Sequence, residues 1–196
     1  MSTAALIALL LIVFKTVAEF VLNRLNQRQV LAHADRVPAA FSEFIDAGTY
    51  QKSVQYNLAK NRFGQMEDVF NSLLLLVILF SGVLPWAFAN YTTHIGHSVA
   101  SMAAFLFLIS IVLAIPALPF EWHAQFRLEA RFGFNTTTPK LWWIDRLKGL
   151  LLGCVIGVPL LALLLKLVDW SGSRWWLYGW ICITVVQLVM LILAPI

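Results

Sequence analysis

Long uninterrupted apolar runs constrain this chain more than any other feature. Five of them, at about residues 4–22, 69–88, 98–118, 150–168 and 175–194, each reach or exceed ~18 residues, enough to cross a hydrocarbon core of roughly 30 Å. Only 12 % of the residues are charged, about half of what a soluble domain carries. Lipid leaves no partner for a bare peptide group, so spanning segments must be helices or a closed barrel. The runs are continuously apolar rather than alternating, which selects helices. The expectation is an all-α integral membrane protein with about five transmembrane helices. An amphipathic cytoplasmic segment follows the first, and a structured aromatic loop lies between the third and fourth.

The basic residues set the orientation. Arg24, Arg28, Arg36, Lys52, Lys60 and Arg62 follow the first run, and Arg127, Arg131, Lys140, Arg146 and Lys148 follow the third. The 89–97 connection, read as a short external loop, has none, and the last connection has only Arg174. The positive-inside rule places the first and third connections in the cytoplasm, the N-terminus outside and the C-terminus inside. A bacterial inner membrane is favoured over the endoplasmic reticulum. The net charge of +4 is accounted for by this topology, so no nucleic-acid partner is expected. The first run has no basic residue ahead of it and no clear cleavage site after it, so it reads as an uncleaved anchor.

The connection of residues 23–68 holds apolar residues at helical spacing (Phe41, Phe44-Ile45, Val54, Leu58), and Ser42 to Lys60 reads as one or two amphipathic helices. Trp142-Trp143, Trp175-Trp176 and Trp180 read as an aromatic belt. Lys15 and Glu19, four apart, share a helical face and form an ion pair or line a cavity. Gly149, Gly153 and Gly157 make a small-residue stripe that would let another helix pack closely. Cys154 and Cys182 differ in depth by on the order of 10 Å, too far for a disulfide, and read as buried thiols. Asp145 and Lys148 open the fourth span, where Asp145 would favour a helix N-terminus. Near Gly133, Phe134 and Asn135 a tight turn with a left-handed residue is expected.

Catalytic chemistry is sparse. The four histidines, His33, His94, His97 and His123, include no H-E-x-x-H, the arrangement that sets two imidazoles and a general base on one helix face. His94 and His97 form the only close pair and lack a third ligand beside them. No G-x-S-x-G elbow and no glycine-rich phosphate loop occurs. No catalytic and no metal-binding residue is assigned.

One polar stretch remains between the third and fourth runs. It reads Leu118-Pro119, Phe126, Glu129, Phe132-Gly133-Phe134-Asn135, Thr138, Asp145 and Lys148. Together with Arg28-Gln29, Val37-Pro38, Tyr50, Lys52-Ser53, Tyr56, Lys60, Arg62-Phe63-Gly64, Trp180 and Ala194-Pro195-Ile196, it resembles the CAAX prenyl protease family over about residues 22–196. The resemblance implies membrane-embedded zinc metalloendopeptidases whose spans surround a chamber and whose catalytic zinc domain follows the fifth span. It makes 1–196 the N-terminal membrane domain, with the catalytic zinc domain absent and zinc confined to that missing part.

The function expected from the resemblance is to wall the chamber that receives prenylated C-terminal peptides, without catalysis by this chain alone. Partners would be the bilayer, a metallopeptidase domain in cis or in trans, and the prenylated peptide. Glu129, Arg131, Phe132, Gly133, Phe134, Asn135, Asp145 and Lys148 are candidates for a chamber rim or a domain contact. Two alternatives stand beside this reading: a non-proteolytic membrane scaffold or lipid- or protein-binding module, and a small transporter subunit with Lys15 and Glu19 in its path.

Overall fold

The computed structural model describes residues 2–35, 37, 38 and 43–193, of Leu193 the backbone alone. Arg36, Phe41, Ser42 and the terminal Ala194-Pro195-Ile196 lie outside the described residues. Every regular element among the described residues is helical: α1 (Thr3–Ala32), α2 (Ala47–Phe80), α3 (Val83–Ile95), α4 (Val99–Ala114), α5 (Leu118–His123), α6 (Ala130–Phe132), α7 (Pro139–Leu152), α8 (Val158–Ser171) and α9 (Trp175–Leu193). The chain divides into two compact units, Met1–Trp86 with Pro116–Thr136, and Ala87–Ile115 with Thr137–Ile196.

In the first unit α1 and α2 form an antiparallel pair. Thr16 meets Ser72 (2.9 Å), Gln27 donates to Gln65 (3.2 Å), and the Tyr50 hydroxyl donates to His33 O (2.9 Å), so residue numbers on α2 fall as those on α1 rise. The Thr16 hydroxyl also lies 2.8 Å from Ile12 O. With one proton to give, it satisfies that carbonyl and accepts from Ser72. Such pairing holds helices together where lipid supplies no hydrophobic drive between them. Lys15 Nζ and Glu19 Oε2 are 2.8 Å apart on α1, as the four-residue spacing predicts.

At ~1.5 Å per residue, α1 and α2 rise about 45 and 51 Å, well beyond one hydrocarbon core. The connection read as a loop with amphipathic helices is therefore mostly an extension of the spans. Asp46 caps α2, its carboxylate accepting from the Thr49 N–H (3.0 Å) and hydroxyl (2.6 Å). These bonds hold its carboxyl below the usual carboxylate range, the Thr49 hydroxyl contributing most.

The second apolar run does not form one helix. It breaks after Phe80, where Gly82 takes a left-handed φ of +76°, and Pro85 sits in the first turn of α3 rather than near a span's end. The 89–97 segment, expected as a loop, is helical through Ile95. The third run likewise continues as helix to Phe132, a 34-residue stretch that includes a wide π-turn at Ala124–Glu129. Pro116 and Pro119 do not stop it, because each falls near the start of a short helical piece, where a proline costs no hydrogen bond.

In the second unit α4 packs on α8, and α8 on α9. The fourth helix begins at Pro139 under a Thr138 cap, whose Oγ1 accepts from Leu141 N (3.2 Å), eleven residues earlier than about residue 150. Helix persists to Ser171, and Gly172 (φ +54°) ends it before α9. Trp142 is buried rather than interfacial, its ring edge-on to Trp143 and covered by the Arg146 guanidinium at 4.7 Å. Trp143, Trp175, Trp176 and Trp180 are exposed, as a belt requires.

Large apolar side chains point outward on nearly every helix; Phe14 and Leu191 are 72 % and 71 % exposed, and no large side chain among the described residues is fully buried. A water-soluble fold would bury these groups. Four helices are long and apolar enough to cross a bilayer, and the last, 54 residues, is interrupted at Gly172 into two crossings.

Candidate functional site

The first unit gathers one group of the candidate rim residues around Tyr56 of α2. The Tyr56 hydroxyl donates to Glu129 Oε1 at 2.6 Å. Its ring lies edge-on to Phe132 (5.3 Å between centroids) and to Phe134 (4.8 Å). Lys60, one turn further along α2, donates from Nζ to the Tyr56 oxygen at 3.3 Å, with the ammonium 5.5 Å from the ring centre. The Arg131 guanidinium stands 5.6 Å from the Phe132 ring.

Local sequence explains the shape of this corner. α6 ends in a left-handed Gly133 (φ +81°); Gly133 N donates to Ala130 O (3.2 Å) and Phe134 N to Glu129 O (2.9 Å), a Schellman-type closure. The left-handed residue is Gly133, where the absent side chain removes the steric penalty. The closure turns Phe132 inward, 6 % exposed, and leaves Phe134 more open. Gln125 Nε2 then donates to Asn135 Oδ1 (2.7 Å), tying the chain beyond the turn back to the π-turn.

One helical step away lies an apolar cavity of about 180 Å³, lined by Phe63, Met66, Pro119, Phe120 and His123. The His123 imidazole stacks on Phe63, 5.1 Å and 14° apart, so it serves here as a flat ring. Phe63 stands seven residues after Tyr56 on α2, two turns or about 10 Å along the same face. Unit one therefore offers a polar corner and an apolar hollow on one helix face.

Asp145 and Lys148 belong to α7 of the second unit. Asp145 is two turns into that helix, beyond the reach of its N-terminal dipole, so Thr138 takes the capping role expected of it. Of the glycine stripe only Gly153 makes a close approach. A Cβ there would sit 3.1 Å from the Phe107 ring, whereas one at Gly149 or Gly157 would meet nothing. Cys154 is exposed and Cys182 half-buried, so the first is not a buried thiol.

Tyr56 and Lys60 were not among the candidate residues. Their four-residue spacing is visible in the sequence, but the partner that gives it meaning is 73 positions away. Among the described residues no group of three or more His, Cys, Asp or Glu side chains could hold a metal ion. His94 Nδ1 lies 2.8 Å from Asn90 O in its own helix.

A family model described as CAAX prenyl protease N-terminal, five membrane helices, matches residues 26–196. CAAX prenyl protease 1 of Saccharomyces cerevisiae is 32 % identical over 176 residues, covering 82 % of this chain and 38 % of its own. The CAAX prenyl protease 1 homolog of Dictyostelium discoideum is 27 % identical over 182 residues, covering 90 % and 42 %. The crystal structure of S. mikatae Ste24p superposes with a TM-score of 0.88 at 29 % identity, over 100 % of this chain and 47 % of that one. The chain thus spans less than half the length of these relatives. They are eukaryotic and lend no support to a bacterial membrane over the endoplasmic reticulum. By the match across most of its length, the chain belongs to the CAAX prenyl protease N-terminal family of five membrane helices.

Proposed function

We propose that this chain is the membrane part of a CAAX prenyl protease-like zinc metalloendopeptidase. In this reading it walls an intramembrane chamber that receives prenylated C-terminal peptides, and peptide cleavage is done by a metallopeptidase domain in cis or in trans. The observation that carries the reading is the superposition of the whole chain on less than half of the Ste24p structure. The residues present do not fit a zinc site, since the described residues hold no adequate donor cluster and the sequence has no H-E-x-x-H. Zinc is therefore assigned to the other part of the enzyme, where it would supply Lewis-acid chemistry.

The polar corner at Tyr56, Lys60, Glu129 and Arg131 supports a rim role. A prenylated peptide is apolar at one end and polar at the other, and a single prenyl chain gives only marginal membrane affinity. A wall with apolar and polar surface on one helix face suits such a ligand. The basic ends of α1 and α2 and the basic connection before α8 face the cytoplasm in this reading, with the N-terminus outside.

The test is co-expression of this chain with a metallopeptidase domain carrying H-E-x-x-H, followed by assay of prenylated CAAX peptide cleavage. Cleavage is expected from the pair and from neither part alone. Cleavage by this chain alone, or its dispensability to the partner, refutes the proposal.

A further inference from the structure

The turn joining α8 to α9 holds an open cavity of about 300 Å³ lined by Trp170, Ser171, Ser173, Arg174 and Tyr178. Its depth in the membrane follows from helix length. The 54-residue run would rise about 80 Å if straight, far more than one hydrocarbon core, so the chain must surface at the Gly172 turn. From that turn the 19 residues of α9 rise about 28 Å, close to one core thickness. The cavity therefore sits among lipid headgroups.

The side chains there are equipped for an anion. Among the described residues the Arg174 guanidinium has no hydrogen bond, ion pair or ring partner, and Asp169, the nearest carboxylate in sequence, makes no ion pair with it. The Ser171 hydroxyl is spent on Leu167 O, which leaves Ser173 as the hydroxyl available in the hollow. The Ser173 hydroxyl is free among the described residues. Trp170 and Tyr178 meet edge-on at 5.5 Å and form an apolar side to the hollow. Guanidinium groups match phosphate with paired charge-assisted bonds, and at headgroup depth phosphodiesters are the abundant anion.

We propose that this pocket binds the phosphodiester headgroup of a membrane phospholipid. Arg174 grips the phosphate, Ser173 donates to it, and Trp170 with Tyr178 flanks the glycerol and upper acyl chains. The site is independent of whether the chain serves a protease.

The test is native mass spectrometry of the full chain in detergent micelles, titrated with phosphatidylglycerol or with diacylglycerol of identical acyl chains. Phosphatidylglycerol is expected to bind about tenfold more tightly, the worth of one charge-assisted contact. Arg174→Gln should remove that margin and Arg174→Lys keep part of it. Equal binding of the two lipids to the wild-type chain overturns the proposal without any variant. Unchanged phosphatidylglycerol affinity in Arg174→Gln also overturns it. So does displacement of the lipid by millimolar inorganic phosphate, which would mark a site for free anion.

Discussion

The Tyr56–Glu129 hydrogen bond is the contact on which the polar corner turns, and Tyr56→Phe isolates it. The substitution removes the hydroxyl that stands 2.6 Å from Glu129 Oε1 and leaves the ring against Phe132 and Phe134. A hydrogen bond to a charged group contributes about 1.5–3 kcal/mol in water-soluble proteins. In a membrane host, cycles average ~0.6 and reach ~1.7 kcal/mol, because the unfolded chain also finds partners in lipid. Tyr56 and Glu129 are both half-buried, and Glu129 brings a carboxylate, so the upper end of the membrane range applies, about 1.5 kcal/mol. Tyr56→Ala also gives up two aromatic pairs at ~0.5–1.5 kcal/mol each, and should cost about 3–4 kcal/mol in all. The assay is reversible unfolding in mixed micelles across a double-mutant cycle of Tyr56→Phe and Glu129→Gln. A coupling energy of about 1–1.5 kcal/mol is expected. Additive effects, with coupling below ~0.3 kcal/mol, would show that the two groups do not interact and would refute the corner as built.

Three further outcomes are expected. Gly133→Ala should destabilise the chain by about 1–2 kcal/mol through backbone strain alone, since a Cβ there meets nothing, and Gly133→Asn should recover part of the loss; micelle unfolding of both variants checks this. Gly153→Leu should drive into Phe107 of α4 and destabilise the chain, whereas Gly149→Ala should be neutral or stabilising by up to ~1 kcal/mol; equal effects at the two sites would discard the packing assignment. The Thr49 hydroxyl and N–H hold the Asp46 carboxyl below the usual carboxylate range, so its cap contributes above the unfolded-state pKa and is lost as pH falls through the lower folded value. Protection of the amides at the start of α2, relative to their intrinsic exchange rates, should fall below about pH 4 in the wild type and show no such step in Asp46→Asn.

Much of this architecture was legible because lipid enforces it. A run such as 98–118 admits one reading, and Lys15 with Glu19 four residues on admits few. The breaks were harder to see. Ser81-Gly82 is a turn-marking pair, but it sits inside an apolar run long enough to read as one span, and only the left-handed backbone at Gly82 makes it a break. The Phe120–Phe132 stretch read as a loop because its charges obscure helical periodicity, although the π-turn at Ala124–Glu129 keeps the backbone bonded. Of the candidate rim, Glu129 to Asn135 coalesce because one glycine closes the turn. Asp145 and Lys148 were grouped with them by proximity in sequence, yet they fold into a different unit. Tyr56, named only among the residues of the resemblance, was not placed at the rim because its role depends on a residue it meets only after folding.

The length of α2 has a mechanical consequence. Between Ser72, where it is hydrogen-bonded to α1, and Tyr56 it rises about 24 Å as an unbroken rod. A tilt of roughly 5° about Ser72 would carry the Tyr56 end sideways by about 2 Å, which exceeds the tolerance of a 2.6 Å hydrogen bond. Helices longer than the hydrocarbon are the ones that lean when a bilayer thins. A lean of α2 of that size would therefore be felt at the Tyr56–Glu129 bond before it disturbed the Thr16–Ser72 contact at the pivot.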